Sequence, residues 1–348
     1  MKKIKRKLSN IAFLKSAYRF LRQSFFQLNC ILYDLTSLYE TYKKTKDEKV
    51  SKSDVALICS LPFFHKRRWQ VVSQADLWHS FVREENCLIC GSFISYWLFA
   101  RHKKIVVSLE PKYNAPIVTF SNRHLKVFVF ISDSHSKAWL PMYIVKRNIT
   151  DILTPYKKTL EYTGFHKPLD ETRVHSLPWS VLDRLLDDVH VDTQDNRVLG
   201  FGQTGGFVYD LREWSFNTGV LSSFNYAGSG NKQFSGDDYY HWLRTYDACV
   251  VSMSSHELYN YTVAKFFEVP SQGLLLFGFK TVDLEDFGFV DELNYICVTK
   301  ENFFVKIQDY KNKPEAYLQV RKNGIELIKN NHTVSKRLEQ LKIYLNNS

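Results

Sequence analysis

The chain has 348 residues, of which 45% are hydrophobic and 24% charged, and its formal net charge is +11. This length predicts two domains of about 100 to 200 residues each, and the composition is typical of a globular protein, with disorder expected only at the ends. Six cysteines in a chain of this size do not indicate a disulfide framework, and the absence of a long apolar run predicts a cytoplasmic protein without a membrane span.

The N-terminal segment is strongly basic and carries apolar residues at helical spacing. Eight Lys and Arg residues precede the first acid, Asp34, and the apolar periodicity from Leu8 to Tyr42 predicts an amphipathic helix. Lys15 and Arg19 interrupt the apolar run that a secretory signal requires. Two interpretations stay open, since the helix either lies on an anionic membrane surface or packs on the protein. No nucleic-acid motif accompanies the charge, so no nucleic-acid partner is expected.

The remaining chain predicts two α/β units. Residues 1–50 are assigned to the basic helix and a charged linker, residues 51–180 to a first α/β domain, and residues 181–348 to a second. In the first domain the predicted strands are 54–62, 88–94, 104–109 and 125–131. Strands that alternate with helices indicate βαβ units and a parallel sheet.

The second domain repeats this alternation after a polar, acidic stretch. Its predicted strands and helices are, in chain order, strand 197–202, helix 237–247, strand 248–253, helix 259–269 and strand 274–277. A closing helix is predicted to begin at Pro314 and to run to about Leu345. The predicted fold class is therefore α/β, with an N-terminal amphipathic helix and a long C-terminal helix.

Polar side chains follow the strand predicted at 125–131. Ligands of open parallel sheets bind beyond the carboxyl ends of the strands, and Asp133 and His135 stand at such an end. His135 is predicted to take a proton from an acceptor hydroxyl, and Asp133 to orient it. The alternative is that Asp133 caps the following helix.

A glycine-rich segment follows the first strand of the second domain. Residues 202–206 contain three glycines, and Thr204 and Gly205 are predicted to let the backbone approach a phosphate. No acid stands about 20 residues further on, so a dinucleotide fingerprint is not supported. Arg212 is the predicted phosphate partner, and two neighbouring acids that would neutralise it are the alternative.

The stretch with the most chemical information contains Lys265 and Glu268. The two residues lie three positions apart, so they share one face of the helix predicted at 259–269. Ser271 and Gly273 end that helix and lead into a buried strand. A cation and a carboxylate beside a glycine-containing turn suit a ligand with phosphate and hydroxyl groups, such as a nucleotide sugar. A structural ion pair between the two is the alternative.

Other polar positions are weighed in the same way. His256 and Tyr259 precede that helix and are predicted to be further donor contacts, unless they satisfy backbone groups instead. The absence of a Gly-x-Ser-x-Gly elbow excludes a serine hydrolase of that type. Cys87 and Cys90 have the spacing of a zinc or redox site, but no matching second pair is evident, so buried thiols and no metal are predicted.

Several short motifs follow one another between about residues 235 and 345. They are Lys265-Phe-Phe-Glu268-Val-Pro-Ser-Gln-Gly273, Phe287-Gly-Phe289, Asn294-Tyr295, Asn323-Gly324, and Asn331-His-Thr333 with Arg337. This region resembles the C-terminal domain of the group 1 glycosyltransferases of GT-B fold, in particular the branch of the spore-coat CgeB-like proteins. In the first domain, Asp133-Ser-His135, Thr154-Pro-Tyr156 and Leu177-Pro-Trp179 are similar to landmarks of the same family.

The resemblance implies two Rossmann-like domains, a nucleotide-sugar donor held mainly by the second domain, an acceptor held mainly by the first, no cofactor and no obligatory metal. Glu268 matches the family carboxylate that holds the donor ribose. The better-known relatives carry a second Glu eight residues earlier, where this chain has Asn260. That departure leaves the donor sugar and the stereochemical outcome open.

The sequence thus predicts a glycosyltransferase that serves surface polysaccharide assembly, with a glycan or lipid-linked acceptor, at the inner face of the cytoplasmic membrane. The predicted donor-site residues are Glu268, Lys265, Arg212, Thr204, Gly205, Ser271, Gly273, Tyr259 and His256. One alternative is a transferase of the same fold that uses a CMP-linked acidic sugar. The other is a catalytically silent domain of this fold that binds a glycan or scaffolds an assembly complex.

Overall fold

A computed structural model of the protein describes residues 32–64, 72–111, 115–132, 139–162, 172–191, 196–225 and 236–346. Within these ranges the chain forms two parallel sheets, one after the other along the chain. The predicted α/β fold with two Rossmann-like domains is therefore confirmed.

Most strands of the first sheet are apolar and buried on both faces, as is typical of parallel strands, but the edge strand 173–176 is polar and partly exposed. All five residues of the central strand 126–130 are buried. The strands are β1 (Val55–Ile58), β2 (Leu88–Cys90), β3 (Ile105–Leu109), β4 (Lys126–Phe130), β5 (Asp151–Thr154) and β6 (Arg173–Ser176). Their order in the sheet is β2-β1-β3-β4-β5-β6.

Helices connect these strands and cover the sheet. They are α1 (32–45), α2 (Glu48–Lys52), α3 (Leu61–Phe64), α4 (Val72–Glu84), α5 (Phe93–Ser95), α6 (Leu140–Lys146) and α7 (Lys157–Tyr162). A π-helical turn (Tyr96–Ala100) follows α5, and a 3₁₀ turn (Asp183–Leu185) follows β6.

The second sheet has five strands, β7 (Val198–Gly202), β8 (Ser222–Asn225), β9 (Ala248–Val251), β10 (Leu275–Phe279) and β11 (Ile296–Val298), in the order β11-β10-β9-β7-β8. Its helices are α8 (Asp210–Asn217), α9 (Asp237–Leu243), α10 (Lys265–Ser271), α11 (Phe303–Asn312), α12 (Leu318–Asn331) and α13 (Val334–Asn346). Short 3₁₀ turns occupy Glu257–Tyr259, Glu285–Phe287 and Pro314–Tyr317.

Two predicted boundaries are wrong for identifiable reasons. The strand predicted to reach residue 94 ends at Cys90, because Ser92 and Ser95 form a reciprocal capping box that starts α5. The helix predicted from Tyr259 begins only at Lys265. The intervening segment is held by a hydrogen bond between the hydroxyls of Thr262 and Thr281, which no local pattern indicates.

The predicted C-terminal helical segment is present and starts with the 3₁₀ turn at Pro314, but it consists of two helices, α12 and α13, with a break between them. Between α12 and α13, the carbonyl of His332 accepts a hydrogen bond from Val181 N–H at 2.9 Å, and Val334 N–H donates to the carbonyl of Val181 at 2.9 Å. After this break, α13 packs against α4. The chain thus returns from the second sheet to the first.

The same break is held by two buried side chains from the family motifs. His332 Nε2 lies 2.7 Å from the carbonyl oxygen of Phe287, and Arg337 contacts the other ring nitrogen of His332 and donates to the carbonyl of Pro178 at 3.0 Å. Burial and the Arg337 charge lower the pKa of His332 to about 3. His332 is therefore a neutral ring with a structural role.

The described part of the N-terminal helix packs on the first sheet. Tyr33 donates to the carbonyl of Gly91 at 3.1 Å and Thr41 to that of Ile89 at 3.0 Å, while Ser37 is fully buried between them. Residues 1–31, which carry most of the predicted basic helix, lie outside the described ranges. In the described ranges, none of the helices combines the length and the hydropathy that a bilayer crossing requires.

The two halves also meet through the carboxylate of Asp283, which follows β10. It is 1% exposed and accepts hydrogen bonds from the N–H of Lys158 at 2.7 Å, the N–H of Thr159 at 3.4 Å and the hydroxyl of Thr159 at 2.8 Å. Burial raises the pKa of Asp283. Nearby, Lys158 Nζ pairs with the exposed Asp286 at 2.6 Å.

We expect Asp283→Ala to lower the free energy of unfolding by about 2–4 kcal/mol, because it leaves buried donors of Lys158 and Thr159 without an acceptor. Asp286→Ala is the matched control, since it removes an exposed pair that contributes about 0–1 kcal/mol. Urea unfolding of both variants measures the difference. Equal losses would mean that the Asp283 contact does not stabilise the junction.

Candidate functional site

The candidate donor site lies at the carboxyl edge of the second sheet. Strands β7 and β9 are direct neighbours and run parallel, so the loops that follow them lie side by side. Several contacts join these loops, among them two hydrogen bonds. Ser254 Oγ donates to the carbonyl of Phe207 at 2.6 Å, and Ser255 N–H donates to the Asp210 carboxylate at 2.9 Å.

The last position of β7 requires glycine. Gly202 has a φ of +123°, and a Cβ there would collide with Lys265 Nζ and lie 2.9 Å from Arg212 Nη1. Gly205 also has a positive φ, of +97°, and the space beside it is open. The half-buried Thr204 stands between them. Gly202 therefore lets Lys265 and Arg212 approach the backbone, and the space beside Gly205 is open.

Arg212 is buried, and its guanidinium binds only uncharged partners in the described structure. Its Nε donates to the carbonyl of Ser252 at 3.1 Å and its Nη1 to that of Gln203 at 2.9 Å, while Nη2 contacts the Met253 sulfur. Burial lowers the pKa of Arg212 to about 10. The neighbouring Asp210 does not neutralise it, because its carboxylate bonds to Ser255.

Lys265 is the second cation of this edge. It is the first residue of α10, half-buried, and its Nζ donates to the carbonyl of Phe201 and lies 3.9 Å from the centroid of the Phe201 ring. Burial, with the Arg212 charge nearby, holds the pKa of Lys265 well below its usual range. The two cations thus destabilise each other in the unliganded protein.

Glu268 lies one turn further along α10 and is 7% exposed. Its Oε2 accepts a hydrogen bond from the hydroxyl of Tyr239 at 2.8 Å. The ring of Tyr239 is 6.1 Å from that of Phe201, whose face carries Lys265. In the described part of the chain, no ion pair joins Lys265 and Glu268. The two charges are instead arranged around a pair of aromatic rings.

Ser271 and Gly273 are not brought to this cluster, because they stand at the other end of α10. Ser271 Oγ donates to the carbonyl of Glu268 at 2.7 Å. Gly273 has a φ of +81° and accepts a hydrogen bond from Arg321 Nε at 2.7 Å. Both residues lie where α10 ends, as the sequence predicted, and this end of the helix is at the amino edge of the sheet.

His256 and Tyr259 lie on the loop after β9. His256 is exposed, and its Nδ1 accepts a hydrogen bond from Leu258 N–H at 3.2 Å, which caps the 3₁₀ turn. The Tyr259 ring lies 5.1 Å from that of Phe207, across the two loops. Asn260, at the position of the relatives' second Glu, donates to the carbonyl of Lys280 at 2.8 Å. Asp133 and His135 lie outside the described residues, so the acceptor side stays a prediction.

Sequence reasoning missed Tyr239 and Phe201. Tyr239 stands 29 positions before Glu268, and Phe201 is an ordinary apolar residue of a buried strand. Neither belongs to a motif, so no signal in the sequence distinguishes them from core aromatics. Only the packing of α9 and β7 against α10 brings them to the charged pair.

The cysteine pair carries no sign of chemistry. Cys87 and Cys90 are both buried, and burial raises the pKa of the Cys90 thiol to about 12, so neither forms a reactive thiolate readily. Among the residues that the structure describes, no group of three or more His, Cys, Asp or Glu side chains is arranged to hold a metal ion.

Comparison with known proteins agrees with this fold. Residues 203–342 match the model of a family described as glycosyl transferase-like. No curated protein matches the chain. The HepE protein of Anabaena, solved with UDP-glucose, is 8% identical with a TM-score of 0.52, and the match covers 78% of this chain and 89% of that one.

Two longer proteins also match. They are S. aureus TarM, solved with fondaparinux, alpha-GlcNAc-glycerol and UDP (11% identity, TM-score 0.49, 72% of this chain and 58% of that one), and the pneumococcal O-GlcNAc transferase GtfA, solved with UDP and GlcNAc (11%, 0.40, 70% and 56%). The chain spans little more than half the length of these two. The CgeB-like branch stays a prediction. The two-lobed fold and the match over residues 203–342 together confirm the resemblance of this chain to the GT-B glycosyltransferases.

Proposed function

We propose that the protein transfers a sugar from a nucleotide-sugar donor to a glycan or lipid-linked glycan acceptor. The observation that carries this proposal is the pair of inward-facing cations, Lys265 and Arg212, whose partners in the described structure are carbonyls, two aromatic rings and a sulfur. Burying a cation without a counter-charge costs free energy. A donor diphosphate bound beside Gly202 would supply further negative charge next to both cations.

The cations would act on the leaving group. When the acceptor oxygen attacks the anomeric carbon, the bond from that carbon to the phosphate oxygen breaks, and its electron pair stays on the nucleoside diphosphate. Lys265 and Arg212 would stabilise the charge that develops there. The acceptor hydroxyl loses its proton, and His135 is the predicted base. Glu268 would accept hydrogen bonds from the ribose diol.

A donor screen tests this proposal. We expect calorimetry to detect one nucleoside diphosphate sugar among UDP, GDP, ADP and dTDP sugars, with an affinity that falls as salt is added, because phosphate binding is partly screened. UDP-glucose is the first donor to test, since HepE shares the fold and holds it. Binding of a CMP sugar alone would favour the acidic-sugar alternative. No nucleotide binding at all would favour the scaffold and overturn the proposal.

We further propose that catalysis is metal-independent, because two side-chain cations supply the charge that a metal ion would otherwise bring. Turnover that is unchanged in a chelator agrees with this, and turnover that disappears contradicts it.

We also propose that the acceptor belongs to surface polysaccharide assembly and that the enzyme acts at the cytoplasmic side of a membrane. The support for this placement is the excess of eight cations before Asp34.

A further inference from the structure

One flank of the first domain exposes apolar side chains from two adjacent helices. On α1, one face packs on the sheet through Tyr33, Ser37 and Thr41, and the opposite face carries apolar side chains at spacings of three and four. These outward residues and their exposed fractions are Leu32 (52%), Leu35 (57%), Tyr39 (66%) and Tyr42 (47%). A surface helix whose outer face contacts only water normally carries polar residues on that face.

The second helical segment continues the same surface. After β2, the residues 93–98 expose Phe93 (52%), Ile94 (47%), Trp97 (48%) and Leu98 (44%). The ring of Phe99, from the same segment, lies 6.3 Å from that of Tyr42 on α1. The two exposed stripes are therefore neighbours. We call these eight side chains, with Arg101 and Arg123, the flank surface.

Positive charge lies beside the exposed Trp97. A cavity of about 390 Å³ is lined by Tyr96, Trp97, Arg101, Thr119, Ser121 and Arg123. The Arg101 guanidinium lies 4.4 Å from the centroid of the Trp97 ring. Both arginines are exposed, and neither forms an ion pair with an acid in the described ranges. The cavity can thus take an anionic group next to an apolar surface.

We propose that the flank surface docks on an anionic phospholipid bilayer. Exposed aromatic and aliphatic side chains would enter the interfacial region, where Trp and Tyr are favoured. Arg101 and Arg123 would bind lipid phosphates from the cavity. The sequence before Leu32 contains eight cations and no acid, a composition that favours anionic lipid.

Charge distinguishes a bilayer from a second copy of this chain. A two-fold contact through the flank surface would bring Arg101 and Arg123 of both copies to one interface. Like charges gathered in one interface oppose association. A bilayer of anionic lipids presents the complementary charge and an apolar interior. The inference does not depend on the sugar-transfer proposal, because none of these residues belongs to the donor site.

Vesicle co-sedimentation of the full chain tests the proposal, with phosphatidylcholine vesicles that contain or lack phosphatidylglycerol. We expect binding only to the vesicles with phosphatidylglycerol. Arg101→Ala with Arg123→Ala should weaken it about thirtyfold, from about 1 kcal/mol per cation. Phe93→Ser with Trp97→Ala should weaken it about tenfold or more, because both side chains lose apolar burial.

The controls are substitutions of the same kind on the second domain. Phe304→Ser with Val305→Ala removes apolar side chains that are 50% and 70% exposed on α11, and binding should stay at the wild-type level. All of the changed side chains are exposed, and melting temperatures check that each variant is folded. Wild-type binding by both flank variants would overturn the proposal. Nucleotide binding by the same variants should be unchanged, which separates this result from the fate of the donor site.

Discussion

Replacing Glu268 by Ala is expected to lower sugar transfer by about a hundredfold or more, while the protein stays folded. The proposed role of the carboxylate is to accept two hydrogen bonds from a ribose diol, and bonds to a charged acceptor contribute about 1.5–3 kcal/mol each. The substitution also leaves the Tyr239 hydroxyl without its acceptor, which should cost about 1–3 kcal/mol of stability. Steady-state turnover and urea unfolding measure the two effects separately.

Two controls isolate the role of the carboxylate. Tyr239→Phe removes the same internal hydrogen bond but keeps the charge, so it should lower stability with a much smaller loss of turnover. Glu257→Ala removes an exposed acid of the neighbouring loop and should change neither quantity. Wild-type turnover by Glu268→Ala would remove Glu268 from the donor site. If Tyr239→Phe lost as much turnover as Glu268→Ala, the role of Glu268 would be limited to positioning.

Replacing Lys265 by Met is expected to separate binding from stability. Nucleotide affinity should fall by about a hundredfold, because a charge-assisted contact to phosphate is lost from a desolvated site. The unliganded protein should become more stable, since an inward-facing cation that is repelled by Arg212 is replaced by an apolar side chain of similar length. Calorimetry and thermal unfolding of the same preparation measure both changes.

The pH dependence of stability provides an independent test of Lys265. Its pKa is lowered in the folded protein, so in the window between that lowered pKa and the ordinary value of 10.5 the unfolded chain binds more protons than the folded one. Stability therefore rises with pH through this window. Lys265→Met should flatten the rise, and saturating nucleotide should flatten it in the wild type by keeping the lysine charged. An unchanged slope in the variant would contradict the burial of this cation.

The sequence predicted the local geometry of the second domain better than its long-range packing. The three-residue spacing of Lys265 and Glu268 correctly placed both on one helix, because helical geometry depends only on local positions. The start of that helix was wrong, since the Thr262–Thr281 contact joins segments that are distant in sequence. Tyr239 and Asp283 stayed invisible for the same reason, as their partners lie 29 and 124 or more positions away.

The motifs that carried the resemblance have mixed roles. Asn294 bridges the turn 288–290, where its amide donates to the carbonyl of Gly288 and its side-chain oxygen accepts from Val290 N–H, both at 2.9 Å. His332 and Arg337 hold the break between α12 and α13. A motif indicates that a certain residue type is required at a position. It does not show whether the residue binds a ligand or a backbone group of the protein. Contacts in the folded chain are needed to distinguish the two.

The chain passes between its two halves twice, and the passages are fastened to each other through the backbone of Val181 with His332 and Val334. These two hydrogen bonds restrain stretching and sliding of the connections, so a rotation of one half against the other would pivot near Val181. The hydrogen bonds from α7 to Asp283 also join the two halves. A rotation of the halves would therefore have to break these bonds or move α7 and Asp283 together.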